Sequence, residues 1–499
     1  MTNAVRCLCG GLLVLIGLTS MTLAAELPEL QIGVAETDIT PPTGFLMAGY
    51  YHERQATGTL NPLKARALVF GQGSQRVAFV ACDVIGIARD LSCEVRRRAA
   101  AQTGIPETHI VLAATHSHTA PEYTRDLYQY LGESEPERES RYAARLIGGI
   151  VEAIVRADAQ RQPAAVDTGT VRQETPIAFN RRFIMRDGSA QTWMRLDNPA
   201  VVRSAGPIDP DVQLMLVRAA KGDQPVSLLT NFALHLDTVG GTLWSADYPF
   251  YVEQMVQQTL GPQVISLFGN GCCGDINHAD PRASAINKTD FIGQSLSSTV
   301  QQGLSRLTRI AQPTLWFGTA EVPLPLQEVT AEDVARSRTL LADVKAGKPV
   351  DAMLDQVIAY KTVVLDHLRN GTAGAEMEDL INWGLSRSWA GVGAQLPAEV
   401  QVIALGQDLA IVCLPGEEFV ELGLAIKQAS PFRTTLVVEL CNCVETIYVP
   451  TRVAYALGSY EVTNTALQPG AGEALAEAAV RLLRQAAAAG AAAAAPAPV

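Results

Sequence analysis

The stretch His109-Ile110-Val111-Leu112-Ala113-Ala114-Thr115-His116-Ser117-His118-Thr119-Ala120-Pro121 decides how the chain reads. Its first half is an apolar run of strand length. Its second half is polar and carries two of the chain's 7 histidines. A short apolar strand that opens into a polar loop is how layered α/β folds build their sites. The form recurs. An apolar run over 225–233 ends in Leu234-His235. A strand over 263–268 leads into Gly269-Asn270-Gly271-Cys272-Cys273-Gly274-Asp275-Ile276-Asn277-His278. A strand over 408–413 leads into Leu414-Pro415-Gly416-Glu417-Glu418. Further apolar, β-branched runs lie at 31–40, 65–70, 76–83, 211–217, 400–404 and 434–440, and helical patterns at 91–103, 138–161, 284–309 and 417–428. This alternation predicts an α/β fold with mixed β-sheets layered with helices, the site being built from loops after strands. Residues 328–392 are charged and periodic, opening with Thr330-x-x-Asp333, and read as a helical insertion.

Composition bounds the rest. The chain has 499 residues, 48% of them hydrophobic and 18% charged, so a large core is available and bulk disorder is excluded. The net charge of −12 argues against a general nucleic-acid or anionic-membrane binder. Residues 1–25 read as a secretory signal peptide: Arg6, an apolar stretch from Leu12 to Leu18 too short to span a bilayer, then small residues up to Ala24 and Ala25. The expected division is a signal peptide (1–25), one large domain (26–483) and an Ala-rich disordered tail (484–499). The expected location is secreted or periplasmic. Seven cysteines follow residue 25, an odd number, so at least one is free or pairs between chains. Cys272-Cys273 and Cys441-x-Cys443 lack the spaced Cys-x-x-Cys pairs of structural zinc modules. Cys82 and Cys413 read as small buried core residues.

Several residues could carry chemistry. In an extended segment, side chains two apart point the same way. His116 and His118 then face one cavity, where a divalent metal takes neutral imidazole nitrogens. A solvent-facing or helix-capping pair fits them as well. His235, at another strand exit, strengthens the metal reading. Glu417 places a carboxylate at a third exit, as a hard oxygen ligand, a base or a complement to a helix dipole. Asp275 alone reads as a turn residue, and Tyr448 as core with a satisfied hydroxyl.

Taken together, these segments resemble the N-terminal catalytic domain of the neutral/alkaline (non-lysosomal) ceramidase family. The matching stretches are Ile32-Gly33-Val34-Ala35-x-x-Asp38-Ile39-Thr40-Pro41, Ala114-Thr115-His116-Ser117-His118-Thr119-Ala120-Pro121, Phe179-Asn180-Arg181-Arg182, His235, Gly274-Asp275, Leu414-Pro415-Gly416-Glu417 and Tyr448-Val449-Pro450-Thr451, in the family's order over about residues 30–465. The resemblance implies Zn2+ held by His116, His235, Glu417 and Tyr448, with a zinc-bound water attacking the amide carbonyl of an N-acyl substrate. His118 would contact the substrate oxygen or developing oxyanion, and Arg181 the substrate. Asp275 and Asn277 complete the expected catalytic set. Asn277 stands where the family carries a serine; it can donate to an oxyanion but cannot exchange a proton as a hydroxyl does. The Ala-rich tail stands where those ceramidases carry an immunoglobulin-like domain. Two alternatives follow: the same metal site acting on a non-ceramide amide or ester, or a non-catalytic exported binding protein with this fold. The expected partner is a small-molecule or lipid N-acyl substrate, with at most peripheral membrane contact and no nucleic acid.

Overall fold

Successive residues of one strand, Lys64–Gln72, feed two different cores. Ala67 and Val69 pack into one; Leu68 and Phe70 pack into the other. The period of two along a strand sends neighbours to opposite faces. Both faces are covered here, so the strand reads as one apolar run. The computed structural model describes residues 28–134, 136–283, 286–349, 353–372 and 386–494. The expected signal peptide lies outside the described residues.

The main sheet is built from β1 (Gln31–Asp38), β2 (Lys64–Gln72), β3 (Gln75–Cys82), β4 (Ile110–Ala114), β5 (Gln162–Arg172), β6 (Asp211–Ala219), β7 (Pro225–Phe232) and β8 (Ile265–Asn270). Their order is β8-β7-β6-β5-β1-β2-β3-β4, with the short pair Thr308–Arg309 added on β5. β3–β4 and β7–β8 are parallel; the other neighbours are antiparallel. The two halves join only through Gln31↔Pro163 and Ile32↔Gln162. Beyond that narrow joint the sheet curls, and β8 reaches β3 and β4. A second sheet runs β9 (Leu315–Pro325), β10 (Gln395–Leu405), β11 (Leu409–Cys413) and β12 (Thr434–Val438), the last two parallel. Ile32, Phe70, Phe79 and Leu229 of the first sheet meet Ile403, Ile411, Leu436 and Val438 of the second in one apolar layer.

Helices cover the outer faces. α1 (Arg89–Thr103) and α2 (Tyr142–Ala159) lie over the β1–β4 half through Leu91, Val95, Ile147 and Ile154. α3 (Pro249–Leu260) and α4 (Thr289–Leu304) lie over the other half through Val252, Val256, Leu296 and Val300. α5 (Ala331–Lys345), α6 (Met353–Asn370), α7 (Val420–Ala429) and α8 (Ala471–Ala494) cover the second sheet. The molecule is therefore the expected mixed α/β fold, in the layer order helix, sheet, sheet, helix. α5 and α6 occupy the described part of 328–392, with Thr330 accepting from the Asp333 amide as its pattern predicts. Among the described residues no helix is long and apolar enough to cross a membrane.

One expectation is corrected. Residues 484–494 are not a disordered tail; they continue α8, and Leu483 and Ala486 pack into the core beneath it. Alanine is the best helix former, so an Ala-rich segment next to a core helix extends it at little cost. All seven described cysteines carry free thiols, six of them buried, in keeping with the free thiol that an odd count allows.

A docked α8 has a measurable consequence. Leu483 is 0% exposed, so Leu483→Ala should cost about 2–5 kcal/mol, read as a lower urea midpoint at unchanged slope. A midpoint equal to wild type would show that the helix does not hold the core.

A candidate metal centre at the strand exits

Beyond β4 the chain does not remain extended. His116 takes a positive φ of 78°, a left-handed conformation that is unusual and strained for a residue with a Cβ. Two bonds hold it there: its amide donates to the Val84 carbonyl at 3.0 Å, and its Nδ1–H to the Ile85 carbonyl at 2.7 Å. Ser117 then pairs with Leu236, which stitches this loop to the one after β7. The His-x-His pair does converge on one cleft, but through this turn rather than through strand geometry. The two rings lie 4.9 Å apart, nearly perpendicular, with their Nε2 atoms 3.4 Å apart.

His235 follows β7 and donates from Nδ1 to the Cys273 carbonyl at 2.8 Å; His118 Nδ1 is 3.1 Å from the Gly49 carbonyl. Glu417 follows β11 across Gly416. Gly416 has a φ of 81°, and a Cβ there would meet Thr446 Oγ1 at 2.0 Å, so only glycine makes this elbow. Glu417 and Tyr448 are then direct register partners in a two-residue parallel pairing.

The donor atoms face one another. Glu417 Oε2 is 3.5 Å from His116 Nε2 and 3.4 Å from His235 Nε2. A carbonyl only accepts, so each ring carries a proton on Nδ1, and a neutral ring then presents a lone pair from Nε2. Glu417 Oε2 is buried without a hydrogen-bond partner. Burial pushes the His235 pKa down to about 3, with Arg181 adding to the effect, and burial pushes His118 down to about 4. Both rings are thus neutral at pH 7. Lone pairs crowded together repel unless a cation sits among them, and Arg181 reaches only the flank of the group, at His235 Nε2. The nitrogen and oxygen set is the one a divalent ion of the zinc type takes. The ligating atoms of His116, His118 and His235 also lie within 4.8 Å of one another, so His118 stands at the same centre.

Arg181 closes one side. Its Nη2 donates to Tyr448 Oη at 3.0 Å and to the Gly274 carbonyl at 2.8 Å, and its Nη1 lies 3.3 Å from His235 Nε2. Its Nε donates to Glu461 Oε1 at 2.8 Å. Glu461 is 0% exposed and also pairs with Arg182 at 3.4 Å. Sequence reasoning missed Glu461, which follows no strand and belongs to no apolar pattern. It also missed Tyr50, whose hydroxyl donates to Asp237 at 2.6 Å.

Two expected catalytic residues stand elsewhere. Asp275 is buried, with Oδ1 accepting from the Val420 amide at 2.9 Å and Oδ2 from Asn180 Nδ2 at 2.6 Å; burial raises its pKa to about 6. It braces the start of α7 against the Asn180 segment, and both its oxygens are committed. Asn277 is half-buried and accepts from the Ala279 amide at 3.2 Å in a local turn. Neither lines the cleft. That cleft, about 690 Å³ and partly open to solvent, is walled by His116, His118, Glu417, Tyr448 and Tyr460, with Tyr360, Lys361 and Val364 contributed by α6.

The sequence and the architecture have counterparts. The model of the family described as neutral/alkaline non-lysosomal ceramidase, N-terminal, matches residues 30–278. The chain is 27% identical over 272 residues to the neutral ceramidase of Mycobacterium tuberculosis, and 28% identical over 216 residues to that of Pseudomonas aeruginosa. These alignments cover 50% and 42% of this chain but 40% and 30% of the relatives, less than half of either one's length. In fold, 92% of the chain superposes on 75% of the solved neutral ceramidase from Pseudomonas aeruginosa, with a TM-score of 0.65 at 20% identity. A solved ceramidase complexed with C2 gives the same TM-score over 76% of its length. With these matches, and with the fold they share, the chain belongs to the neutral/alkaline non-lysosomal ceramidase family.

Proposed function

We propose that this protein is an exported, zinc-dependent hydrolase that cleaves the amide bond of an N-acyl substrate of the ceramide type. The observation that carries the reading is the convergence of His116 Nε2, His235 Nε2 and Glu417 Oε2 on one buried point, with Glu417 Oε2 lacking any hydrogen-bond partner. The named relatives are ceramidases, which supports the substrate class. Residues 1–25 support export.

His116, His235, Glu417 and Tyr448 are the residues that would hold the ion. Bound there, zinc would supply Lewis-acid polarisation of a carbonyl and a lowered pKa for water. The chain's own groups do the rest. His118 is neutral, with Nδ1 anchored on Gly49 and Nε2 free to take a proton and return it to a leaving amine. Asp237, 3.8 Å from the same ring, favours the imidazolium once formed. Arg181 keeps its charge: burial opposes it, but Tyr448, Glu461 and Glu417 together outweigh burial and hold the guanidinium protonated. It thereby fixes the Tyr448 hydroxyl and presents a fixed positive charge beside the reacting carbonyl. The cleft wall mixes tyrosine hydroxyls with Val364 and Ile447, a surface suited to an acyl chain carrying a polar head.

His116→Ala and His235→Ala should each lose the metal of this centre and the release of free amine from an N-acyl sphingoid substrate. Arg181→Gln should keep that metal and lower kcat by about 100–1,000-fold. If zinc-loaded wild type releases no amine from any N-acyl amide, and no acid from esters, the hydrolase reading fails.

The neutral rings also set a pH dependence. His118 and His235 titrate at about 4 and about 3 in the folded chain, below the 6.5 of an unfolded histidine. Between those values the unfolded chain binds more protons, so this contribution to stability is present above pH 6.5 and is lost as pH falls. The urea midpoint of chelator-treated protein should therefore drop between pH 6.5 and 4, and drop less in His118→Gln. Parallel profiles would mean that His118 is not held neutral.

A further inference from the structure

Behind the histidine loops a second group of donors closes on itself. Cys272 follows β8, Glu418 follows the Gly416 elbow, and Glu439 follows β12. Their thiol and carboxylate atoms all lie within 4.8 Å of one another. Glu418 and Glu439 are 0% exposed and Cys272 is 3% exposed. Both carboxylate oxygens of Glu418 lack any hydrogen-bond partner. Glu439 is better served: Oε1 accepts from Cys273 Sγ and Oε2 from the Cys273 amide, each at 3.0 Å. The neighbouring cation, Lys427, is committed elsewhere, to Asp209 at 2.6 Å.

We propose that Cys272, Glu418 and Glu439 form a second site for a divalent cation of the zinc class, separate from the His116–His235–Glu417 centre. A buried carboxylate with no partner is among the most expensive groups to desolvate, and a second carboxylate facing it adds repulsion. A divalent ion removes both costs at once. The thiol narrows the choice of ion: calcium and magnesium take oxygen alone, whereas zinc accepts sulfur and carboxylate together. None of the three residues lines the cleft, so the site is structural. Its placement gives it a task. Glu418 is the next residue after Glu417. Cys273, next to Cys272, accepts the His235 ring proton on its carbonyl and sets its own Sγ 3.3 Å from that ring. An ion here ties together the three loops that aim His235 and Glu417. α7 packs directly on the thiol: a Cβ at Gly423 would fall 2.9 Å from Cys272 Sγ, which closes this side to solvent.

Metal analysis and cobalt(II) spectroscopy test the assignment. Wild type reconstituted with zinc should hold about two equivalents, and His116→Ala/His235→Ala about one. Loaded with cobalt, that double variant should show thiolate-to-cobalt charge-transfer absorption in the near ultraviolet, and adding Cys272→Ser should remove it. Glu418→Gln/Glu439→Gln, which preserves shape, should drop wild type to one equivalent and leave no thiolate band. A single equivalent in wild type that the histidine changes abolish would overturn the second site and leave the proposed function standing. Unchanged metal content in the glutamine pair, with no thiolate band in any variant, would mean that the two carboxyl groups share protons instead, and would also overturn it. One equivalent that survives the histidine changes and carries the Cys272 band would support the second site and remove the basis of the first.

Discussion

Three donor atoms meet at one buried point, His116 Nε2 and His235 Nε2 lying 3.5 and 3.4 Å from Glu417 Oε2. That crowding is met on one side by Arg181, whose Nη1 is 3.3 Å from His235 Nε2. The fold is arranged to enforce it. The Ile85 and Cys273 carbonyls take the Nδ1 protons and so turn the lone pairs inward. A positive φ at His116 and the glycine elbow at Gly416 swing ring and carboxylate toward each other. These are local costs, and conformations of this kind persist only when surrounding packing over-determines them. The four-layer core supplies that packing. An ion at this point would convert the cost into binding energy, which is how preorganised metal sites achieve their affinity.

Around the centre, charge is distributed unevenly. On the cleft side stands Arg181, held cationic by Glu461 and in contact with Tyr448 and His235. On the core side stand Glu418 and Glu439, whose carboxyls burial pushes well above the usual range. The fixed positive charge therefore lies on the cleft side, and carboxyl groups that burial drives toward their neutral form lie behind the ligands. The second shell of a metal site ordinarily sets ligand orientation and basicity. Here that shell includes a group of donors able to hold an ion of its own.

Much of this was legible in the chain because strand exits announce themselves. An apolar run followed at once by His, Glu or Gly-rich polar sequence marked the loops after β4, β7, β8 and β11, and these loops do carry the converging donors. What stayed hidden has physical reasons. β5, which joins the two halves of the main sheet, begins Gln162-Pro163-Ala164-Ala165 and alternates small with polar residues, so neither period nor bulk marks it. α3 is signalled by Pro249 at its first turn but follows a polar loop. Asp275 reads locally as a turn residue and entered the catalytic set through the family resemblance alone; the tertiary contacts show both its oxygens used by Val420 and Asn180. Glu461 sits on a short helix far along the chain, and nothing local betrays that it neutralises Arg181.

The narrow joint between β1 and β5 connects these points. Two residue pairs are all that make the main sheet continuous. A fully paired strand there would hold the two halves in one gently twisted surface and keep the loop after β4 away from the loop after β7. In the folded chain β8 touches β3 and β4, and Ser117 pairs with Leu236. The second sheet packs against the first and delivers Glu417 and Tyr448 from the opposite layer. The centre is thus assembled from both sheets rather than from any one motif. Its parts are separated by more than three hundred residues, from His116 to Tyr448, and come together only once both sheets are packed. Local segments could be read one at a time, but the geometry that makes them a site belongs to the assembled layers.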